Sequence, residues 1–202
     1  MRAGLKIFEY LGAPVYAHIS VLLVFLYFYL KGGLLVCILS GIAFIGLMIV
    51  HEMGHAYFVR KYKHKLVEIR IYPLHGLCLY EYDARWLPET LIFAGGLIAQ
   101  IVILTIWLAV LGFVNLVGLT NVEQLLKPLT NVFIDTNIFV FILNSLPIPG
   151  LDGFELWKRF ALMIKDKLLN MRIFPKKKKN NKNPAPETVV ELAIKRIQKN
   201  EK

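Results

Sequence analysis

Apolar residues run almost unbroken through four stretches, 14–30, 34–60, 90–111 and 131–146, and what separates them is polar, glycine-rich or alternating. About 20 apolar residues in a helix cross a hydrocarbon core of ~30 Å, so the four runs predict four transmembrane helices. Lys31-Gly32-Gly33 predicts a tight turn between the first two. The run from Leu34 to Arg60 would be about 40 Å long at ~1.5 Å per residue, enough to cross and leave a turn or two outside. Between 60 and 89 the period changes: Val67, Ile69 and Ile71 alternate with Glu68 and Arg70, the mark of a strand. Leu74-His75-Gly76 can turn the chain and Leu77 to Tyr82 can pair back, which predicts a β-hairpin at the membrane surface. Its free edge could accept an extended peptide, or the hairpin could simply connect two spans.

The third run carries Gly95-Gly96 and Gln100, small and polar residues of the kind that let helices approach closely in lipid. Residues 112–130, of mixed polarity, predict a connecting loop. The fourth run ends at Pro147-Ile148-Pro149-Gly150, because proline lacks the backbone donor and clashes with the preceding turn. From Val132 to Leu146 a helix covers only ~22 Å, so Asp152 need not clear the bilayer and can sit on irregular backbone lining a cavity. Asn137 and Asn144, seven apart, share an inward helical face, while Asp135 belongs near the opposite end as a solvated interface residue. Phe154 to Phe174 has Trp157, Phe160, Ile164, Leu168 and Met171 at helical spacing among lysines and arginines, and predicts an amphipathic helix in the headgroup layer. The expected fold is therefore an α-helical membrane protein of about four transmembrane helices, with a small membrane-surface β-hairpin between the second and third and a C-terminal amphipathic helix. Its parts are a core over 1–153, the interfacial helix over 154–174, and a basic linker and short tail over 175–202. In that tail 187–200 could form a short helix with Val190, Ile194 and Ile197 on one side.

The chain of 202 residues is 56% hydrophobic, with a mean hydropathy of +0.55, too apolar for an ordinary soluble domain. Its net charge of +10 might be read as affinity for nucleic acid, yet 14 of the 24 Lys and Arg residues follow Gly150, outside the apolar body, and suit a membrane surface instead. With four spans, the N-terminus, the 60–89 segment and the tail share one side and hold 22 of those 24 residues; Lys31 and Lys127 alone lie on the other. The positive-inside rule puts both termini in the cytoplasm. No small-residue cleavage site follows Leu30, so the first run is expected to stay as a helix rather than to be removed as a signal. Cys37 and Cys78 should fall on opposite sides of the bilayer, so no disulfide is expected between them.

Chemistry concentrates at His51-Glu52-Met53-Gly54-His55. Residues four apart share a helical face, so both imidazoles can reach one metal while Glu52 handles a bound water. Two histidines at this spacing can also be accidental, but ionisable groups inside a span are expensive and by default functional. The orientation above places His51, His55 and Asp152 near the cytoplasmic ends of the second and fourth spans. Zinc in a hydrolase takes three protein ligands and a water, and His51, His55 and Asp152 complete that count. Glu52 is the candidate general base and Asn144 the candidate oxyanion donor. His18 at the start of the first run and His75 in the turn are further histidines that could touch a substrate.

The second span with His51-Glu52-Met53-Gly54-His55, together with the stretch from Asn144 through Pro147 and Pro149 to Asp152-Gly153, resembles the paired motifs of the site-2 protease family of intramembrane zinc metalloproteases. Glu68-Ile69-Arg70-Ile71, Pro73-Leu74-His75-Gly76 and Ala94-Gly95-Gly96 are similar to further family segments, and the similarity covers roughly residues 14–160. It is greatest to the short, sporulation-type members that process membrane-tethered sigma-factor precursors. The resemblance implies one zinc ion per chain, a membrane-tethered protein substrate cut in or beside its transmembrane segment near the cytoplasmic face, and a bacterial cytoplasmic membrane as the location. This chain departs from the family in having Phe154 where a glycine is frequent, Gly96 where proline is common, and His75-Gly76 where a glycine pair is common. None of these removes a ligand or the base; they bear on substrate preference. No PDZ insertion is visible and the tail is too short for a CBS domain, which points to control by a separate regulatory membrane protein. Two other readings remain open: a zinc-binding membrane scaffold or transporter that keeps the site without proteolysis, and a zincin of another architecture whose third ligand is a glutamate.

Overall fold

A computed structural model of the chain describes residues 4–73, 75–81 and 86–173. The chain divides into two units, 1–164 and 165–202. The sheet and the candidate site belong to the first; the expected linker from 175 and helix over 187–200 lie outside the described residues.

The N-terminal residues depart from expectation. Gly4–Tyr10 (β1) and Ala13–His18 (β2) form an antiparallel hairpin, so the run beginning at Pro14 opens as a strand rather than a helix. Leu11 and Gly12 turn it with φ of 51° and 79°, both in the left-handed region that two-residue hairpin turns use. Ala13 and Val15 are buried and Pro14 and Tyr16 less so, a two-residue period hidden inside a continuous apolar run. The predicted hairpin is present as Leu66–Ile71 (β3) and Gly76–Tyr80 (β4), and β2 pairs parallel with β3. The result is a four-stranded sheet ordered β1-β2-β3-β4 rather than an isolated hairpin. A bulge between Leu66 and Glu68 shifts the alternation, so Leu66, Ile69 and Ile71 are buried while Val67 turns outward. Glu68, also buried, accepts a 2.6 Å contact from Arg70 Nη2.

Among the described residues three helices are long and apolar enough to cross a membrane: Ile19–Lys61, Thr90–Leu116 and Asn121–Ser145. The first contains Leu22–Lys61 (α1) and is broken by non-helical Gly32 and Gly33, the latter at φ 76°. Phe25 and Gly41 would be about 24 Å apart on a straight helix. Instead a Cβ at Gly41 would press on the Phe25 ring, Cys37 Sγ donates to the Phe25 carbonyl at 3.2 Å, and the Phe28 and Phe44 rings are 6.3 Å apart. The chain therefore doubles back at the predicted turn. The second helix belongs to Trp86–Leu116 (α2).

The expected loop over 112–130 is mostly helical. It consists of the end of α2, a connection over 117–119, and Thr120–Thr130 (α3). Val122, Leu125, Leu126 and Leu129 recur at three- and four-residue spacing, an amphipathic period that a reading by hydropathy alone passes over. The helix continues through a π-helical segment, Asn131–Thr136, into Asn137–Ser145 (α4). The fourth run is thus not a short helix; the whole element spans 121–145, about 37 Å. Pro128 lies just before the π segment, and Ser40 Oγ of α1 donates to its carbonyl at 3.1 Å.

Sheet and helices share one core. Val15, Leu66, Ile69 and Ile71 pack with Met48, Ala56 and Val59 of α1 and Ile92 of α2. Met48, Glu52, Ala56 and Val59 follow one helical face, so the same stripe that seats the sheet carries the candidate chemistry. At the crossing of α1 and α2, Gly54 and Gly95 meet backbone to backbone, and a Cβ on either would overlap the other's carbonyl. Gly54→Leu should therefore destabilise the protein by about 1–3 kcal/mol or more, whereas Gly46→Ala, with open space at its Cβ on the same helix, should be neutral or stabilising by about 0.5–1 kcal/mol. Thermal unfolding of the two variants in detergent checks both signs.

Candidate metal centre

His51 and His55 lie one turn apart on α1 and are buried. Across from them α2 presents Gly96, where a Cβ would overlap both imidazoles. A side chain larger than hydrogen at 96 would displace the pair, which is the local reason for glycine here.

The third group arrives from a chain reversal. α4 ends at Ser145, Leu146 takes the extended conformation that a following proline demands, and Gly150 turns at φ 92°. Asp152 then opens Asp152–Ile173 (α5), which matches the predicted C-terminal helix in extent. Two contacts hold the reversal: Trp157 Nε1 donates to the Ser145 carbonyl at 2.9 Å, and Gly153 sits so close to the Ser145 and Leu146 backbone that a Cβ would not fit.

Asp152 Oδ2 lies 3.1 Å from His51 Nε2 and 3.2 Å from His55 Nε2, and the two Nε2 atoms are 3.1 Å apart. His55 Nδ1–H donates to the Ile92 carbonyl at 2.7 Å, which leaves the His55 Nε2 lone pair facing the other two atoms. No arrangement of protons pairs all three edges of such a triangle well. A tetrahedral zinc with ligand bonds of ~2.0–2.1 Å has ligand-to-ligand edges of about 3.3 Å, so the three atoms fit that ion. Glu52, equally buried, places Oε1 4.0 Å from His51 Nε2. His51, Glu52 and His55 offer ligand atoms within 4.8 Å of one another, but Asp152 stands closer to both histidines than Glu52 does to His51. By distance Asp152 is the nearer candidate for a third ligand position, and Glu52 lies beside the triangle.

The sheet closes the other side. β4 begins against Glu52, where a Cβ at Gly76 would overlap the carboxyl group. Burial pushes the Cys78 thiol of the same strand up, and the carboxylates of Glu52 and Asp152 push it further. His75 stacks on Tyr72 with ring centres 5.0 Å apart, and Tyr72 lies 5.2 Å from His18, whose Nδ1 is 2.6 Å from Ser20 Oγ. These contacts tie His18 into the sheet rather than into the triangle. Asn144 stands half-buried in the last turn of α4, eight residues before Asp152. The sequence reading missed the Ile92 carbonyl, and no side-chain pattern could have marked a backbone acceptor. Gly76, which the sequence marks as a turn residue, matters instead for the space it leaves to the Glu52 carboxyl group.

Helices of membrane-crossing length with a sheet seated on one of them define a membrane-protein architecture, and at their junction lies a cluster that could hold a metal ion. The fold is similar to the solved structure of the Site-2 Protease from Methanocaldococcus jannaschii, with a TM-score of 0.57 over 80% of this chain and 72% of that one, at 22% sequence identity. No protein-family model and no curated protein sequence matches the chain. At this identity the likeness is one of fold, and the chemistry rests on the residues.

Replacing His51, His55 or Asp152 by Ala should each lower zinc affinity by at least tenfold, because each removes one of three protein ligands. Glu52→Gln should retain zinc. The metal-to-protein ratio after dialysis of the purified proteins checks this, and full retention by Asp152→Ala would remove it from the ligand set.

Proposed function

We propose that the protein is an intramembrane zinc endopeptidase. The observation that carries the reading is the convergence of His51, His55 and Asp152 at 3.1–3.2 Å with the Glu52 carboxylate alongside, on helices apolar enough to lie in a bilayer. The likeness to a site-2 protease fold supports it.

In this reading His51, His55 and Asp152 hold the ion. Zinc there would lower the pKa of a coordinated water to about 7 and polarise a carbonyl. Glu52 takes the proton given up by the attacking water and carries it to the leaving amine, the two halves of general base and general acid work. Its burial limits bulk water as a competing proton partner. Asn144 is assigned the oxyanion, where a carboxamide N–H meets charge that develops as the carbonyl is attacked. A peptide bond in a helix is shielded by its neighbouring turns, so the substrate segment must unwind before it is cut. Of the sheet's two edge strands, β4 is the one that begins against Glu52, so a strand added to it would run past the base.

The substrate class is a membrane-tethered protein cut in or next to its transmembrane segment, the chemistry of regulated intramembrane proteolysis, with control by a separate membrane protein. The two arms of α1 count as separate crossings, which makes four with both termini cytoplasmic. The first arm, Ile19 to Lys31, covers only about 20 Å, so the sheet is drawn to the membrane surface, in keeping with exposed Leu5, Ile7 and Leu11 on and after β1. The sporulation-type affinity is supported by the paired motif and the short form alone.

Glu52→Gln should lower cleavage of a co-expressed membrane-tethered substrate by about 10²- to 10⁴-fold, with zinc retained. A scaffold or transporter that kept the site would bind zinc through the same three ligands and show no change with Glu52→Gln, and that outcome would overturn the peptidase reading.

A further inference from the structure

Asp135 is an exposed carboxylate, and the register of the helices places it at mid-depth rather than near the end of a short span, where the sequence pattern predicts it. Two residues after it, Asn137 Nδ2 donates to the Gln100 carbonyl at 3.0 Å; two residues before it, the Phe133 ring centre lies 4.8 Å from that of Trp107. In the span Thr90–Leu116, Gln100 lies about 15 Å from the first residue and Trp107 about 14 Å from the last, so Asp135 is level with the middle of that span. The backbone turns it outward. Val132 and Asn137 are both buried although five residues apart, a spacing that carries an α-helix through one turn and nearly half of another. The π-helical segment Asn131–Thr136 brings both inward and leaves Asp135 on the outside between them. Such segments inside a helix fall frequently at functional sites.

A carboxylate at this depth is expensive unless something pairs with it. The chain's own spans hold no cation for it: their Lys and Arg residues are Lys31 at the turn, Arg60 and Lys61 at a helix end, and Lys127 eight positions before Asp135, all of them towards a surface. A second copy of this chain brings no other cation, and pairing through the same face would set carboxylate against carboxylate. Lipid head groups carry their charge at the surface. What remains is a helix of a different membrane protein, and the surface around Asp135 matches one. Ile138, Phe139 and Ile142 continue its face along α4 and are 42%, 64% and 55% exposed. Ile138 also forms a wall of a cleft of about 90 Å³ between α4 and α2, with Ile101, Leu104 and Phe141 as further apolar walls. A carboxylate one turn from an apolar cleft is complementary to a helix that carries one basic side chain and, one turn along, a large apolar one. A substrate would leave after cleavage and return the carboxylate to lipid, whereas a resident subunit keeps it paired.

We propose that the α4 face centred on Asp135 docks a transmembrane helix of a different, resident membrane protein, and that a Lys or Arg at mid-depth of that helix pairs with the Asp135 carboxylate. The ion pair fixes the depth of the docked helix and the cleft its rotation. That such a subunit controls cleavage rests on the peptidase reading; the docking itself does not.

Equilibrium binding of labelled synthetic transmembrane peptides to the full-length protein in nanodiscs tests this. Three peptides of equal length and identical ends are compared: leucine throughout, leucine with one central Lys, and leucine with that Lys moved to within a turn of one end. Wild type should bind the central-Lys peptide about three- to thirtyfold more tightly than either of the others, the range that polar contacts between helices supply in lipid. Asp135→Asn should bind all three alike, and Asp135→Lys should prefer a peptide with a central Glu. Equal binding of the central-Lys and all-leucine peptides by wild type, as for a carboxylate served by water drawn in from the surface, would overturn the proposal. So would a preference that survives Asp135→Asn, or one indifferent to where the Lys sits. The wild-type comparison needs no variant, so a variant that fails to fold does not spare the proposal. Mass spectrometry should find the bound central-Lys peptide intact; its cleavage would make the occupant a substrate and overturn the assignment to a resident subunit. Glu52→Gln should bind the three peptides as wild type does, so the docking and the peptidase reading can fail separately.

Discussion

Everything in this structure depends on three lone-pair atoms being held within about 3.2 Å of each other inside a low-dielectric interior. Imidazole nitrogens and a carboxylate oxygen at that distance repel unless a cation or protons lie between them, and in an apolar setting neither water nor salt softens the repulsion. The fold supplies rigidity from three directions. The α1 helix fixes the spacing of the histidines, the backbone contact of Gly54 with Gly95 brings α2 and the Ile92 carbonyl onto His55, and the Trp157 anchor stops Asp152 from swinging away.

Small residues do much of this work by omission. Gly96 leaves room for both imidazoles, Gly76 for the Glu52 carboxyl group, and Gly153 for the reversal that delivers Asp152. A methyl group would meet the two imidazoles at 96, the Glu52 carboxyl group at 76 and the Ser145–Leu146 backbone at 153. At these positions the sequence encodes geometry through absent atoms, and none of the three glycines requires an unusual φ to justify it.

The candidate site was legible in the chain, and much of the fold was not, for reasons that can be named. His51, Glu52 and His55 announce themselves because a helix converts four-residue spacing into a shared face, and Asp152 because a proline-rich break stops a span short of it. The turn at Gly32–Gly33 was equally readable. The strand over Ala13–His18 was concealed, since a short apolar run carries no period that separates strand from helix until its partner is known. That partner, β3, lies about fifty residues away, and parallel pairing leaves no local turn signal. Residues 120–130 look like loop because their hydropathy averages out, though Val122, Leu125, Leu126 and Leu129 trace a clear stripe. The bulge that turns Val67 outward and buries Glu68 is a one-residue shift in register, which alternation alone cannot reveal.

The central claim is that two histidines of α1 and one carboxylate from the start of α5 bind a single zinc within a membrane protein. Zinc-edge X-ray absorption of the purified protein tests it most directly. The account predicts a four-coordinate spectrum with two imidazole nitrogens and light oxygen ligands at about 2.0–2.1 Å, and no sulfur. A shell at about 2.3 Å, the signature of thiolate, or a zinc without imidazole scattering would contradict it.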